Sequence, residues 1–262
     1  IKYIILPKPH FLIENVKFYT KKLATPKELA QIKKLKVFIS QKNFFKKNKI
    51  EITKISLNNA NFLIDQVDLK YLKEFLENKF SKNKINIINS KFFYIDDNKN
   101  VISIFPISKL SMFYDEEKSK NFLASKGELF TIPYFMDWNK NFNNKINSTF
   151  LKLNKLKIKI ENFTDKKQPN LSIKNYIFFR SFEMATDVLV KKDSIEIKSF
   201  QGDNVKNQDL EYNGKINLKP FSLFMDIELD ELDFKKNIFN NNLIRSLFEL
   251  RSLYSKNLNS QI

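Results

Sequence analysis

The sequence predicts a mainly β protein with a few short helices, in which a curled antiparallel sheet forms an open groove. Apolar and polar residues alternate with a period of two through most of the 262 residues, as they do in half-buried strands. Turn signals rich in Asp and Asn, such as the stretch 96–100, separate these runs, and the chain has only three glycines. The same alternation permits one alternative, a closed β-sandwich or barrel.

The alternating runs begin near Ile13 and recur along the chain. A phase shift at Thr53–Lys54, between Ile50–Ile52 and Ile55–Leu57, predicts a β-bulge. The clearest run is "LKIKIEN" (156–162), in which apolar residues alternate with charged ones. The remaining predicted strands contain Leu35–Val37–Ile39, Ile85–Ile87, Ile102–Ile104, Phe130–Ile132–Tyr134, Ile195–Ile197, Ile216–Leu218 and the stretch 220–234.

Three short helices are predicted. "TPKELAQI" has Thr25 as an N-cap and Pro26 at the first helical position, which favours a helix near 26–32. Asp68 caps a second predicted helix over 69–80, and the stretch 240–255 predicts an amphipathic third. No linker rich in Gly, Ser or Pro is present, so the sequence predicts one architectural unit over 1–262, with successive strands over 84–235 after an N-terminal part over 1–83.

The predicted apolar strand faces need cover. Each apolar side chain left in water forfeits roughly 2 kcal/mol, whereas net stability is only about 5–15 kcal/mol. Ten strands make a sheet about 50 Å across, and a twelve-residue helix is only about 18 Å long. The predicted helices are therefore too short to cover it. The sheet must either fold over its own side chains or curl into a groove that something apolar fills.

The net charge of +17 raises the possibility of nucleic-acid binding. Only three of the 46 basic residues are arginine, the residue that bidentate phosphate and base contacts favour. The lysines are spread along the chain among many Asn, Ile and Phe, as expected from an AT-rich genome. The prediction is therefore no nucleic-acid partner, although a basic surface can attract anionic lipid headgroups. Cysteine is absent, which excludes disulfides and thiolate chemistry.

Signals for catalysis are weak, so the sequence predicts no enzyme, no cofactor and no metal. His10 is the only histidine, and a single histidine flanked by Pro9 and Phe11 makes no catalytic triad. The three glycines stand too far apart for a phosphate-binding loop. The acidic residues of 226–233 lack the spacing of a calcium loop and fit a solvated strand face.

Adjacent phenylalanines occur at Phe44–Phe45, Phe92–Phe93 and Phe178–Phe179. Adjacent residues in a strand point to opposite faces. One ring of each pair therefore needs cover outside the main apolar face. The stretch "FFKKNK" (44–49) also fits a single-strand nucleic-acid platform or a membrane-surface loop.

The N-terminal stretch resembles the periplasmic portion of the AsmA family, relatives of TamB and of the repeating β-groove lipid-transfer proteins. The resemblance rests on Leu6–Pro7, Pro9 and Asn15–Val16, followed in order by Leu35–Val37–Ile39 and Ile50–Leu57. It covers residues 5–65, while 84–235 match only as strand after strand. The family's N-terminal inner-membrane helix is not in this sequence, and the chain begins at Ile1 rather than Met, so we expect a segment of a longer protein.

The resemblance implies a non-enzymatic cell-envelope protein in the periplasm, anchored to the inner membrane through that missing helix. It implies that an apolar β-groove holds or guides phospholipid between the inner and outer membranes and supports outer-membrane assembly. The implied partners are phospholipid acyl chains, the membrane surface and other envelope proteins. An envelope scaffold with a closed core is the alternative. The residues expected to line the groove are Ile50, Ile52, Ile85, Ile87, Ile102, Ile104, Ile158, Ile160, Ile195, Ile197, Ile216, Leu218, Ile227 and Leu229.

Overall fold

The computed structural model describes residues 1–19, 26–40, 50–96, 98–165, 171–179, 182–200, 210–218 and 221–229. These ranges contain fifteen strands, one α-helix and a single 3-10 turn at Asn154–Leu156. In chain order the elements are β1 (Lys2–Ile4), β2 (His10–Tyr19), β3 (Glu28–Ile39), β4 (Ile52–Ile64), α1 (Gln66–Glu77), β5 (Lys84–Ile95), β6 (Val101–Asp115), β7 (Lys120–Leu129), β8 (Ile132–Asn141), β9 (Ile146–Leu153), β10 (Ile158–Asp165), β11 (Leu171–Phe179), β12 (Phe182–Val190), β13 (Ser194–Ser199), β14 (Leu210–Leu218) and β15 (Phe221–Leu229).

The strands form one open sheet whose order follows the chain from β1 to β15. In the part of the chain that the structure describes, β1 and β15 each have one neighbouring strand, so the sheet is not closed. The prediction of a mainly β protein with an open sheet is confirmed, and the closed sandwich or barrel is wrong. The sequence predicts one architectural unit, whereas packing divides the chain into two compact units, Ile1–Leu129 and Phe130–Ile262.

The first unit contains β1–β7 and α1. Its strands pair antiparallel except for β4 and β5, which are parallel because α1 carries the chain back along the sheet between them. The expectation of a wholly antiparallel sheet is therefore wrong at this pair. The predicted β-bulge in β4 is confirmed, because Lys54 pairs with Phe38 and Ile52 with Ile39, which leaves Thr53 as the extra residue.

The predicted helix near 26–32 is wrong, because β3 occupies Glu28–Ile39. This strand pairs on one side with β2 and on the other with β4. Ala30 and Ile32 are both buried while Gln31 between them is exposed, which is the alternation of a strand. Pairing with two neighbours has overridden the local helix signal.

The second predicted helix is present as α1, and it begins three residues earlier than expected. Asp65, rather than Asp68, is the N-cap. The Asp65 carboxylate accepts a bond from the Asp68 N–H at 3.0 Å, and the Asp68 carboxylate accepts one from the Asp65 N–H at 3.1 Å. This reciprocal capping box fixes the start of the helix. The third predicted helix, over 240–255, lies outside the described residues.

The second unit contains β8–β15, and its described neighbouring strands pair antiparallel. The strand predicted from Leu156 begins instead at Ile158. Leu156 belongs to the 3-10 turn, and Lys157 follows it in the left-handed conformation at φ 56°. Leu156 is buried there against Ile132, in a cluster that Leu153 and Ile158 extend.

Little of the described chain is buried. Among the described residues, thirteen apolar side chains are buried, whereas many strand positions are half-exposed. The larger buried cluster consists only of Ala30, Ile32 and Ala60. A single sheet layer explains this, because a strand side chain meets only its in-plane neighbours unless a second layer covers it.

Candidate functional site

One face of the first unit carries a continuous apolar surface, which we call the apolar face of this unit. Residues that pair across neighbouring strands share a face, so the register defines it. Two central rows run across β2–β6. The first row is Ile13, Leu35, Leu57, Ile87 and Leu110, and the second is Val16, Ile32, Ala60, Ser90 and Ile107.

Between the two rows lies a line of left-handed asparagines, Asn15 at φ 55°, Asn59 at φ 53° and Asn89 at φ 48°. The register places them at the same level of β2, β4 and β5. Strict alternation would put residues three apart on opposite faces. Leu57 nevertheless packs against the cluster that contains Ala60. The left-handed residue thus keeps both rows on one face.

Helix α1 is held at its N-terminal end by an ion-pair cluster. The Lys27 ammonium donates to the Asp65 carboxylate at 2.5 Å and also to Asp68. Burial favours the neutral form of Asp65, but its hydrogen bonds with Lys27 and Asp68 and the charge of Lys27 together lower the pKa of Asp65. Burial likewise opposes the shift of Lys27, whose pKa is nevertheless raised by its bonds to the two aspartates.

The other end of α1 is held against β6 and β7. The Asn121 side chain donates to the Asn78 carbonyl at 2.8 Å and accepts from the Phe80 N–H at 2.9 Å. Asn121 pairs with Tyr114, and both continue the alternation of the apolar face. The connection from β4 to β5 therefore passes on the side of that face. No residue of α1 is buried.

The second unit has an apolar face of its own, which its register defines in the same way. Strict alternation holds along these strands, so the apolar positions stay on one side. One row across β8–β12 is Met136, Leu151, Ile160, Ile177 and Met184. Further rows across β12–β15 contain Val188 with Ile197, and Ile195 with Ile216 and Leu223.

A polar row interrupts this second apolar face. It contains Thr149, Asn162, Asn175 and Thr186, which pair in register across β9–β12. The Asn162 amide donates to the Asn175 side-chain oxygen at 2.7 Å. The Thr186 side chain is hydrogen-bonded to the hydroxyl of Tyr212, a residue that is 7% exposed. Half-buried amides and hydroxyls in an apolar surface can bind the polar part of an amphiphile.

The predicted lining residues fall into three groups. Ile52, Ile85 and Ile87 lie on the apolar face of the first unit, and Ile158, Ile160, Ile195, Ile197 and Ile216 lie on that of the second. Leu218, Ile227 and Leu229 pair with Phe221, Tyr212 and Leu210, at positions where only the backbone is described. Three predictions do not fit, namely Ile50, Ile102 and Ile104.

The three misplaced residues have physical reasons. Ile50 precedes β4, outside any strand, and is 67% exposed. Ile104 pairs with Phe93, on the face opposite to Phe92, whose ring stacks on Phe62 at 4.5 Å. Ile102 has no partner in the register, because the β5–β6 pairing shifts between Tyr94 and Ile95, and it is 39% exposed. Ile104 lies on the face opposite to Ile85 and Ile87 because the alternation shifts at Asn89 in β5 and between Ile107 and Lys109 in β6. The sequence signal for it was a spacing of three between apolar residues, with Asn between them.

The faces opposite to the apolar ones carry lysines over aromatic rings. Lys54 lies 5.2 Å above the Phe38 ring, and the Lys159 ammonium lies 4.5 Å from the centre of the Phe178 ring. Phe179, next to Phe178, pairs with Ile158 on the apolar face. The prediction that adjacent phenylalanines point to opposite faces is confirmed at this pair and at Phe92–Phe93, while Phe44–Phe45 lies outside the described residues.

The histidine and the carboxylates of the described ranges do not cluster. No three His, Asp or Glu residues there lie together as a metal site would need. His10 is buried, stacks on Phe38 at 4.9 Å and has its Nδ1 2.8 Å from the Lys8 carbonyl. These contacts hold the imidazole inside the structure, in keeping with a structural role.

Comparison of the chain with protein-family models and with curated proteins finds no match. The resemblance to the AsmA family therefore rests on the residues of the N-terminal stretch alone. In the described residues, no helix combines the length and the apolar character that crossing a membrane requires. The candidate functional site is accordingly defined by geometry, as two apolar sheet faces.

Proposed function

We propose that the apolar sheet faces hold the acyl chains of phospholipid, and that the protein is a non-enzymatic carrier or guide of lipid in the cell envelope. The observation that supports this most directly is the shortage of internal cover. The row across β8–β12 of the second unit is half-exposed throughout, and so is the first row of the first unit except for the buried Ile87. The second row of the first unit is mostly buried, but among the described residues the larger buried cluster has only three members. Acyl chains would supply the missing apolar contacts.

The mechanism is physical and needs no cofactor. Acyl chains lie along the apolar rows, and the polar part of the lipid stays at the solvent edge or against the amides of Asn162 and Asn175. Helix α1 spans the apolar face of the first unit, with its ends held by Lys27 and Asn121. Leu69, Leu72 and Phe75 on the helix are 46%, 38% and 43% exposed, and bound chains would cover such side chains.

The resemblance to the AsmA family supports a place for this activity. It favours the periplasm, an anchor in the inner membrane, and transfer of phospholipid toward the outer membrane in support of its assembly. Other envelope proteins are proposed as partners on the same basis. An envelope scaffold remains the second candidate, although its closed core is not what the structure has.

A site-specific photocrosslinker provides the test. The amino acid benzoylphenylalanine replaces Ile160 or Ile177 on the apolar face of the second unit, and Ile104 on the opposite face of the first unit serves as the control. After irradiation in cells, mass spectrometry should find phospholipid joined to the first two positions and little at the control. Lipid-free protein at all three positions, together with cooperative unfolding of the purified chain, would replace the proposal with a scaffold.

A further inference from the structure

A second surface of the first unit has a charge that the apolar face does not explain. We call it the lysine surface, and it consists of Lys8, Lys36, Lys54, Lys84 and Lys109. Lys54 pairs directly with Lys84, on the face opposite to the apolar rows. Lys36, Lys54, Lys84 and Lys109 lie on four adjacent strands, β3–β6, which are together about 15 Å wide, and Lys8 lies in the connection before β2.

The lysines of this surface repel one another, and no carboxylate of the described residues is paired with them. Burial, followed by the charges of Lys84, Lys109, Lys8 and Lys36, lowers the pKa of Lys54. In the residues that the structure describes, none of the five forms an ion pair. Like charges placed directly opposite on neighbouring strands destabilise a sheet. An anionic partner would relieve that repulsion.

Two carboxylates on the same face are already engaged by other lysines. Glu14 lies 3.4 Å from Lys2, and Asp115 lies 4.0 Å from Lys118. Between the lysines the strands carry small polar side chains, Ser56, Asn86 and Ser111, which are buried among their neighbours. Only short side chains therefore lie between the ammonium groups. Within β3–β6 the carboxylates are Glu28 and Asp115, which stand at strand ends and are each paired with a lysine outside this surface.

The chemistry of the surface favours a fluid anionic membrane over nucleic acid. All three arginines of the chain lie at Arg180 or beyond, so the first unit has no arginine. It therefore lacks the guanidinium group, which makes two parallel hydrogen bonds to a base or a phosphate. Two rings on this face are also occupied. Phe38 stacks on His10 at 4.9 Å, and Phe113 stacks on Phe122 at 5.3 Å. Stacking of nucleobases requires free aromatic faces.

We propose that the lysine surface docks the first unit onto anionic phospholipid headgroups of a membrane. Lysine ammonium groups suit this role because they act as point charges on flexible stems and need no fixed partner geometry. Each lysine near an anionic surface strengthens binding about fivefold at moderate salt. The proposal does not rest on lipid in the apolar face of this unit, since the lysine surface lies on the opposite side of the same strands.

The test is sedimentation of the full chain with vesicles of phosphatidylcholine containing about 30% phosphatidylglycerol, at about 50 mM and about 300 mM salt. The variant K36Q/K54Q/K84Q/K109Q should lose at least 100-fold in vesicle binding. Its matched control, K70Q/K73Q/K155Q/K192Q, removes the same charge from exposed lysines elsewhere and should lose less than fivefold. Pure phosphatidylcholine vesicles should not bind.

Two results would overturn the proposal. Equal losses in the two quadruple variants would show that binding follows net charge alone, and tighter binding to single-stranded DNA than to vesicles would favour nucleic acid. Folding has its own check, because removing the repulsion at Lys54 and Lys84 should leave the melting temperature of K54Q/K84Q unchanged or higher. This outcome is separate from photocrosslinking at Ile160, so each proposal can fail without the other.

Discussion

Asn59 and Asn89 lie at the same level of two neighbouring parallel strands, and both have left-handed backbone conformations, with φ of 53° and 48°. Asn15 repeats the arrangement in β2 at φ 55°. Asparagine tolerates this region better than other residues with a Cβ. The aligned asparagines shift the alternation of several strands at once, which keeps the apolar face continuous across the shift.

Replacement of Asn59 therefore tests whether the left-handed conformation shapes the face. Asn59→Val should lower the free energy of unfolding by about 1–3 kcal/mol, because a β-branched residue is strained at positive φ. Asn59→Gly should be close to neutral, since glycine adopts this region freely. The control is Asn58→Val, at a neighbouring strand position without positive φ. Urea denaturation measures all three, and equal losses at Asn58 and Asn59 would contradict the idea.

The start of helix α1 offers a test that separates capping from charge. Asp65→Asn keeps a good N-cap but removes the charge that pairs with Lys27, whereas Asp65→Ala removes both. We expect Asp65→Ala to destabilise α1 by about 1–2 kcal/mol more than Asp65→Asn. Hydrogen exchange of the α1 amides measures this. Identical exchange in the two variants would assign the whole effect to the ion pair.

The same cluster predicts how the attachment of α1 depends on pH. Burial opposes the charged form of Asp65, but its bonds with Lys27 and Asp68 together lower its pKa below the usual 3.8. Its stabilisation is therefore present above pH 4 and is lost as pH falls through the folded-state value. Lys27 has a pKa raised above 10.5, so its contribution is lost only above that pH. The protection factors of the α1 amides, which compare their exchange with that of the unfolded chain at the same pH, should be highest between these limits, and Lys27→Met should flatten that profile.

The sequence predicts the second unit's face well because strict alternation leaves one choice of side. Ile158 and Ile160 lie on the apolar face, as the alternation predicts, although the strand begins at Ile158 and not at Leu156. The first unit shows what a local pattern misses. The helix signal at Pro26 was overridden by pairing of β3 with two strands, which depends on contacts distant in sequence. Ile104 was assigned to the wrong face because its side depends on the shifts at Asn89 in β5 and between Ile107 and Lys109 in β6.

The small buried cluster predicts where the first unit keeps its stability. Ile32 is 1% exposed, between the buried residues Ala30 and Ala60, so Ile32→Ala should cost about 2–4 kcal/mol. Ile104→Ala is the matched control, because Ile104 is 47% exposed, and it should cost less than about 1 kcal/mol. Chemical denaturation gives both values. Similar losses at the two positions would mean that Ile32 is not at the centre of the packing.

Tyr212 predicts a hydroxyl-dependent and pH-dependent part of the stability of the second unit. Its hydroxyl bonds Thr186 and lies 3.3 Å from the Ala185 carbonyl. Tyr212→Phe leaves these partners unpaired and should cost about 1–2 kcal/mol. Tyr176→Phe, a change on the opposite face, where the ring packs edge-on against Phe163, is the control and should cost less.

Burial raises the pKa of Tyr212 above 10, and the bond with Thr186 only partly offsets this. The folded chain therefore keeps the phenol proton at a pH where the unfolded chain loses it. This contribution to stability is complete below pH 10 and is lost as pH rises toward the folded-state value. Because lysines also titrate there, the measurement is the difference in unfolding free energy between the wild type and Tyr212→Phe. That difference in unfolding free energy should shrink above pH 10. If it grew instead, the pKa of Tyr212 would be lowered in the folded chain and not raised.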